Sequence, residues 1–380
     1  MSVVSHGDEF LASPSHVSSS SVLSSLGIDF VALHESVRAS GQPNYVSCRS
    51  PVPSRLNVPC WCQYLWNYQD SQICDFLEYG WPVGYDYSSY GFPCSNLRNH
   101  QGALLFPDVI DSYLSAEASR HAVIGPFSVN PFSCPVALSP LNSVPKQDSS
   151  ERRIIVDFSW PVGTSVNDGI SSSRYLGDDI LLTYPTVDNI ASLIWSTGAG
   201  CLIYKRDLRR AYRQFPVDPM DYPLLGYCWK HKLYFDVVLP MGLRSAAMAC
   251  QRITTAVCFI CETEGHPTLS YLDDFIGVAT PATAWQAYEH CGRLLEELGL
   301  DESPNKACPP ATVATCLGVQ FNTVQMTMSV TPERLAELES LLHVWSVKRC
   351  TTKIELQSLV GKLAFVSKCV RHSQIGRAHV

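Results

Sequence analysis

The sequence predicts an α+β fold, because segments of both kinds occur without the strict strand–helix alternation of a doubly wound parallel sheet. With 380 residues, 46% of them hydrophobic, the chain is long enough to bury more than one core. Strands are predicted from short apolar runs at 153–158, 201–204, 232–239, 268–271 and 275–278. Helices are predicted from apolar positions that share one face at 107–121, 187–197, 245–264, 282–298, 332–345 and 353–369.

Composition divides the chain into four segments and a tail. Residues 1–50 are rich in serine and are expected to be disordered. Residues 51–138, rich in Trp, Tyr, Pro and Gly, predict an ordered but irregular N-terminal extension. Residues 139–328 hold most of the mixed strands and helices, and 329–372 the last two amphipathic helices. The end of the tail, residues 375–380, is what a common sequencing-adapter sequence would encode, so 373–380 are expected not to be biological.

Charge and cysteine usage limit the protein class only loosely. The net charge is −7, but residues 144–252 hold 13 Lys and Arg against 11 Asp and Glu, so the charge balance leaves a nucleic-acid partner open. The 16 cysteines follow no recognisable signal peptide and have no zinc-site spacing, which favours free thiols in a reducing, intracellular compartment. No apolar run predicts a membrane partner. Cytoplasm and nucleus both stay open, as does the oligomeric state.

Three aspartates stand where acidic side chains are costly. Asp207 follows an apolar strand, and Asp273-Asp274 lies between two apolar strands, so these charges lose hydration unless something pairs with them. The same dipeptide at Asp178-Asp179 lies in a polar stretch and predicts a solvated turn. If the two strand ends converge, their carboxylates could hold the two metal ions of an in-line displacement, with Mg²⁺ favoured. The alternative is a hairpin with solvated acidic tips.

Five motifs occur in order and together cover about residues 139–320. They are Val144-Pro-Lys146 with Arg152–Asp157, Asp207–Pro216, Leu239–Ala247, Tyr271-Leu-Asp-Asp274 and Cys316-Leu-Gly-Val319. This ordered set resembles the motifs of reverse transcriptases. Further segments resemble the DIRS-like, tyrosine-recombinase class of retrotransposons, namely 125–127, 139–141, 159–170 and 357–363.

The resemblance implies a right-hand polymerase fold with fingers, palm and a truncated thumb. It implies an RNA-directed DNA polymerase, a nucleotidyltransferase that adds deoxynucleotides to a primer 3′-hydroxyl on an RNA or DNA template. The cofactor implied is a pair of Mg²⁺ ions, with Mn²⁺ as a substitute, held by Asp207, Asp273 and Asp274. The main alternative among enzymes is a host-type or intron-type reverse transcriptase, which would be expected to show extra basic RNA-binding regions. Two further alternatives are a catalytically inactive remnant that only binds nucleic acid and a structural protein that has the fold by descent.

The same resemblance assigns a set of residues to the deoxynucleoside triphosphate. Lys146 and Arg153 would hold the triphosphate, with Arg152 as a neighbour, and the alternative is a solvated basic loop. Tyr212 would exclude a ribose 2′-hydroxyl, unless it is a core tyrosine. Met241 and Gly242 would contact the nascent base pair, although related viral enzymes carry Gln at the position of Met241.

Two further sites follow from the resemblance. Leu317 and Gly318 would form the primer-gripping turn. Lys306 would be a general acid for the pyrophosphate leaving group, and a plain surface lysine is the alternative. Ala247 stands where proline is usual in the family.

Overall fold

The structure is a computed structural model, and it describes residues 29–40, 50–95, 98–146 and 151–369. Ten α-helices lie in this part of the chain. They are α1 (Phe30–Ala39), α2 (Val58–Tyr64), α3 (Gln72–Tyr79), α4 (Gln101–Leu105), α5 (Pro107–Ser119), α6 (Val187–Thr197), α7 (Ala246–Thr263), α8 (Ala284–Glu297), α9 (Pro332–Val347) and α10 (Lys353–Val366). The described residues contain no helix that is both long and apolar enough to cross a bilayer.

Fourteen strands accompany these helices in the described residues. They are β1 (Val123–Phe127), β2 (Leu141–Pro145), β3 (Arg152–Val156), β4 (Arg174–Tyr175), β5 (Asp178–Asp179), β6 (Leu202–Asp207), β7 (Gly226–Trp229), β8 (Lys232–Asp236), β9 (Thr268–Tyr271), β10 (Asp274–Ala279), β11 (Cys308–Ala311), β12 (Val313–Cys316), β13 (Val319–Asn322) and β14 (Thr327–Val330). The mixed α+β class is therefore confirmed.

The described chain divides into two compact units. The first comprises the residues up to Leu182 together with Leu208–Ala256 and Leu295–Asp301. Its main sheet has the order β1-β8-β7, and the hairpins β2–β3 and β4–β5 accompany it. Large aromatic side chains fill its core, among them Trp61, Trp81 and Phe235.

The second unit comprises Thr183–Asp207, Val257–Leu294 and the residues from Glu302 onward. Its central sheet is antiparallel with the order β11-β6-β10-β9, and a second sheet has the order β12-β13-β14. Helix α6 contributes Ile190 and Ile194 to one apolar core with Ile203 and Ile276 of the central sheet and Phe321 of the second sheet. This core fixes β6 and β10, which carry Asp207 and Asp274, and the turn before β10 carries Asp273.

The predicted elements occur with small shifts at their ends. The helix expected over 187–197 has those bounds, and the one expected over 245–264 begins and ends one residue inside them. Asp178-Asp179 is exposed, as expected, but lies in the short strand β5 and not in a turn.

One prediction for the N-terminus needs correction. Within the segment 1–50, expected to be disordered, the described residues 29–40 contain helix α1. The Asp29 carboxylate caps it by accepting from the backbone N–H groups of Val31 and Ala32, both at 3.0 Å. Phe30, His34 and Val37 recur at helical spacing and are buried. The expected tail at 373–380 lies outside the described residues.

Candidate active site

The predicted carboxylates meet at one end of the central sheet of the second unit. Strands β6 and β10 are antiparallel with Asp207 directly opposite Asp274, so two aspartates far apart in sequence become cross-strand neighbours. The buried residues Ile203 and Tyr204 on β6 and Phe275 and Ile276 on β10 hold this register. Asp207 is itself only 4% exposed.

Asp273 lies in the two-residue turn that joins β9 to β10, where Tyr271 pairs with Asp274. The other turn residue, Leu272, has φ +55°, a left-handed conformation that a leucine adopts only at a cost of about 1–3 kcal/mol. Such strain persists where the surrounding structure imposes it, and it is concentrated at functional sites. The tight turn thus places Asp273 beside the two strand-borne carboxylates.

The three carboxylates influence each other electrostatically. Burial raises the pKa of Asp273, and the negative charge of Asp207 raises it further. Burial also raises the pKa of Asp274, with Asp273 and Asp207 adding to the effect and the ammonium of Lys205 opposing it. Asp273 and Asp274, whose charged forms are disfavoured beside Asp207, form a site that a cation would stabilise.

Two lysines supply positive charge at this site. The Lys306 ammonium lies 3.0 Å from the Asp207 carboxylate, and the Lys205 ammonium lies 4.0 Å from that of Asp274. Burial would lower the pKa of Lys306, but its hydrogen bond to Asp207 and the charges of Asp273 and Asp274 offset this and raise it. Sequence reasoning gave Lys306 a role here and missed Lys205, which is internal to β6.

Whether these residues fit magnesium ions can be judged from their chemistry. Within the described residues, no group of three or more His, Cys, Asp or Glu side chains is arranged to hold a metal by itself. Mg²⁺ is commonly held by only one or two carboxylates together with waters and substrate phosphates, so a closed protein cage is not expected. Oδ1 of Asp207 is buried and accepts no hydrogen bond from the described residues, and the Lys306 ammonium stands in for a cation beside it. The donor set therefore fits such a metal.

A cavity of about 590 Å³ lies beside Asp274 within the second unit, and the predicted primer-gripping turn lines it. Leu317 and Gly318 join β12 to β13 and both have left-handed backbones, with φ +49° and +78°. Glycine suits this position because of its left-handed backbone; a Cβ there would lie 2.7 Å from the Arg334 guanidinium, the mobile end of a long side chain. The structure thus brings Leu317 and Gly318 to the same cavity as Asp274.

The residues predicted to hold the triphosphate belong to the first unit. In the β2–β3 hairpin, Val144 pairs with Arg153, and Lys146 lies opposite Glu151, with its ammonium 2.5 Å from that carboxylate. Arg153 is exposed on this face. Arg152, the neighbour, turns the other way: its guanidinium donates to Oγ and the backbone oxygen of Ser143 and stacks 3.7 Å from the centre of the Phe106 ring. Arg152 therefore has a structural role.

The loop of Met241 and Gly242 also belongs to the first unit, and Met241 is 46% exposed. Gly242 has φ +101°, and a Cβ there would lie 2.9 Å from the Val156 backbone oxygen. Glycine is thus required at position 242 first of all because the loop passes close to the backbone of β3. Tyr212 lies in a short 3₁₀ helix, Ala211–Gln214, and is half-buried.

Asn167 holds this loop in place, and the sequence did not single it out. Its side-chain amide donates to the Gly242 carbonyl at 2.9 Å and its oxygen accepts from the Arg244 backbone N–H at 2.7 Å. The side chain is buried, which makes both hydrogen bonds strong determinants of the loop. An Asn-Asp-Gly sequence indicates only a turn, so nothing in the sequence marks this role.

Two arginines of the basic stretch 205–213 form ion pairs within their own units. Arg206 donates to the Tyr288 carbonyl and to Glu302, at 2.9 and 2.6 Å, and stacks over the Tyr288 ring. Arg213 pairs with the buried carboxylates of Glu117 and Asp236. Both guanidiniums therefore contribute to packing within their own units.

Neither a protein-family model nor a curated protein sequence matches the chain. Solved structures of similar fold do exist. The chain is similar to the foamy viral protease-reverse transcriptase dRH in complex with double-stranded DNA, with a TM-score of 0.54 and 16% identity over 85% of this chain and 54% of that one. The fold is that of a reverse transcriptase polymerase.

Two further foamy viral structures have the same fold. The protease-reverse transcriptase with double-stranded DNA gives a TM-score of 0.51 and 17% identity over 83% of this chain and 62% of that one. The form with an RNA/DNA hybrid gives a TM-score of 0.54 and 17% identity over 87% of this chain and 44% of that one. This chain therefore spans about half the length of these polymerase chains.

Proposed function

We propose that this chain is an RNA-directed DNA polymerase that extends a primer 3′-hydroxyl with deoxynucleotides. The observation that carries the proposal is the convergence of Asp207, Asp273 and Asp274 at one end of an antiparallel sheet, within a reverse transcriptase fold. The exposed pair Asp178-Asp179 has no such convergence.

In the proposed reaction the primer 3′-oxygen attacks the α-phosphate of the incoming nucleotide and pyrophosphate leaves. Asp207, Asp273 and Asp274 would hold two Mg²⁺ ions, which supply charge stabilisation to the attacking and leaving oxygens. The same carboxylates would accept Mn²⁺, which also prefers oxygen ligands. The chain's own contribution is to position the reactants and to present fixed charges.

We assign the remaining residues to different parts of the incoming nucleotide. Lys146 and Arg153 share one face of the β2–β3 hairpin and would hold the triphosphate, a task that suits an exposed ammonium and an exposed guanidinium. The Glu151 carboxylate, now paired with Lys146, would give way to phosphate. Tyr212 would exclude a ribose 2′-hydroxyl, and Met241 and Gly242 would border the nascent base pair.

The primer end and the leaving group have their own candidates. Leu317 and Gly318 would support the primer strand, since their turn lines the cavity beside Asp274. Lys306 would donate a proton to the departing pyrophosphate, because its ammonium already lies at the Asp207 carboxylate. Partners are then a template with its primer and deoxynucleoside triphosphates; the foamy viral complexes contain double-stranded DNA or an RNA/DNA hybrid. We further propose a retrotransposon of the DIRS-like class as the source, on the motifs at 125–127, 139–141, 159–170 and 357–363.

Primer extension on poly(rA)/oligo(dT) with Mg²⁺ tests the proposal. The Asp273→Asn, Asp274→Asn variant should lose extension by about a thousandfold or more, because metal stabilisation of the transition state supplies several kcal/mol and each 1.4 kcal/mol is tenfold in rate. The matched control is Asp178→Asn, Asp179→Asn, which removes the same two charges from exposed positions and should leave extension unchanged.

Three results would contradict the proposed function or the proposed site. Equal loss in both variants would show that net charge, and not the site, matters. Full activity in Asp273→Asn, Asp274→Asn would remove the carboxylates from the chemistry. A folded chain that binds the duplex by gel shift without extending it would favour the remnant that only binds nucleic acid.

A further inference from the structure

The first unit contains a cavity of about 560 Å³ that none of the proposed nucleotide-contacting residues lines. This size lies within the range of about 300–1,000 Å³ that is usual for small-molecule sites. Its charged lining consists of five guanidinium groups and one carboxylate, namely Arg55, Arg120, Arg209, Arg210, Arg213 and Asp301.

Three guanidiniums that line this cavity pair with one buried carboxylate. Glu117 is 4% exposed and its carboxylate lies 2.8 Å from the Arg210 guanidinium, 2.9 Å from that of Arg213 and 3.4 Å from that of Arg120. Arg213 also donates to buried Asp236 at 2.6 Å. Arginines fixed in this way lose little further freedom when they bind an anion.

Positive charge is in excess around the cavity. The five guanidiniums face three carboxylates, those of Glu117, Asp236 and Asp301, which leaves a net charge of +2. Burial lowers the pKa of Arg210, and the nearby positive charges of Arg120 and Arg213 add to this effect although Glu117 opposes it. An added anion would relieve this repulsion.

Two arginines at the cavity remain available to a ligand. Arg209 is exposed, and its guanidinium makes no hydrogen bond or ion pair with any residue that the structure describes. The Arg55 side chain is 83% exposed, and its ion pair with Asp301, at 3.4 Å, is a weak one at the surface. Both can turn toward a ligand at little cost.

We propose that this cavity binds a compact di- or triphosphate group, separately from the polymerase substrate. Guanidinium forks match phosphate oxygens two at a time, and several arginines around one cavity favour more than one phosphate. The group could belong to a free nucleoside triphosphate or to the 5′-triphosphate end of an RNA, which share this chemistry. The inference does not depend on the proposed polymerase activity.

Isothermal titration of the full chain with inorganic tripolyphosphate tests the site, without divalent cations and at about 0.1 M salt to screen distant charges. Arg55→Gln with Arg209→Gln should weaken binding about tenfold or more, because each charge-assisted hydrogen bond is a strong one. Arg174→Gln is the matched control, since this exposed arginine of the same unit lies outside the cavity and should leave binding unchanged. Should the double variant fail to fold, Arg209→Gln alone supplies the same comparison.

A second background separates this site from the proposed polymerase substrate site. The Lys146→Gln, Arg153→Gln variant should still bind tripolyphosphate, and adding the Arg55 and Arg209 changes should still weaken that binding. The proposal is overturned if that background alone abolishes binding, if Arg174→Gln weakens it equally, or if wild type binds nothing. Comparing uridine triphosphate with a short RNA carrying a 5′-triphosphate or a 5′-hydroxyl identifies the source, and tighter binding of either triphosphate supports the site.

Discussion

Two Asp-Asp dipeptides occur in this chain in opposite surroundings. Asp178-Asp179 forms the exposed strand β5, with Arg174 3.7 Å from Asp179 as a surface partner. Asp273-Asp274 stands at the tip of the β9–β10 hairpin, where Asp207 of β6 lies directly opposite. The dipeptide is identical, so the difference in chemistry comes from what the rest of the fold brings to it.

What the fold adds is a third carboxylate and two ammonium groups. Desolvation and mutual repulsion raise the pKa values of Asp273 and Asp274, whereas Lys205 and Lys306 counter the accumulated charge. A site that is costly without a cation is suited to bind one. Matched substitutions at site and surface positions therefore test how much of the function depends on this setting.

The largest effect after the aspartates themselves is expected at Lys306. Lys306→Met should slow single-nucleotide incorporation about a hundredfold, within the range of general acids. Lys230→Met is the control, because Lys230 is exposed to a similar degree, 61% against 63%, and also forms an ion pair, with Asp111 at 2.7 Å. Its rate should not change. Rapid-quench measurement at saturating nucleotide gives the rates.

Lys306→Arg distinguishes proton donation from simple charge pairing. Arginine keeps the positive charge beside Asp207, but its guanidinium does not release a proton at any ordinary pH. The arginine variant should therefore stay slow. Restoration of the full rate would show that Lys306 is only a counter-ion of Asp207.

The sequence predicted most of the scaffold, because helix faces and apolar strands are local patterns. Helix α6 has its predicted bounds, and β6 begins one residue after the predicted start at Cys201 and reaches Asp207. The convergence of Asp207 with Asp273 and Asp274 could be expected from strand positions and from the family resemblance, but the register that opposes Asp207 to Asp274 depends on the folded sheet.

Partners that lie far away in sequence could not be predicted. Arg206 and Arg213 belong to a basic stretch of the sequence, and each forms an ion pair with a carboxylate elsewhere in the chain, Arg206 with Glu302 and Arg213 with Asp236. Glu117, distant from both in sequence, fixes Arg213. Helix α1 was missed for a different reason: its serine-rich surroundings concealed a short capped segment.

A smaller effect is expected on the free energy of unfolding when alanine replaces one or the other of two glycines with left-handed backbones. Gly242 (φ +101°) would place a Cβ 2.9 Å from the Val156 backbone oxygen, whereas Gly163 (φ +88°) has nothing within 4 Å. Both alanine variants carry the conformational cost, but only Gly242→Ala must also displace β3 or its own loop. We expect Gly242→Ala to lower the free energy of unfolding by about 1–3 kcal/mol more than Gly163→Ala, as for overpacked cores. Equal values in urea unfolding would show that the loop relaxes freely.

The smallest expected effect is a change in melting temperature that differs between the two aspartate pairs. Without divalent metal, Asp273→Asn, Asp274→Asn should raise the melting temperature, while Asp178→Asn, Asp179→Asn should leave it nearly unchanged. The folded-state pKa values of Asp273 and Asp274 are raised, so their ionised forms destabilise the folded chain, fully above those pKa values. The cost shrinks as pH falls toward about 3.9, the ordinary pKa of aspartate, where both states take up the proton.

We expect a gain of about 2 °C or more at neutral pH, corresponding to a modest gain in free energy, which becomes smaller on acidification. Excess Mg²⁺ should reduce the advantage, because a ligand that binds only the folded wild-type site stabilises it. A variant that melts below wild type in the absence of metal would mean that Lys205 and Lys306 already compensate the carboxylates, and the site would then be an ion-paired cluster at rest and not a strained one awaiting a cation. That outcome would reverse the sign of the energetic difference between the two aspartate pairs while leaving their geometric difference intact.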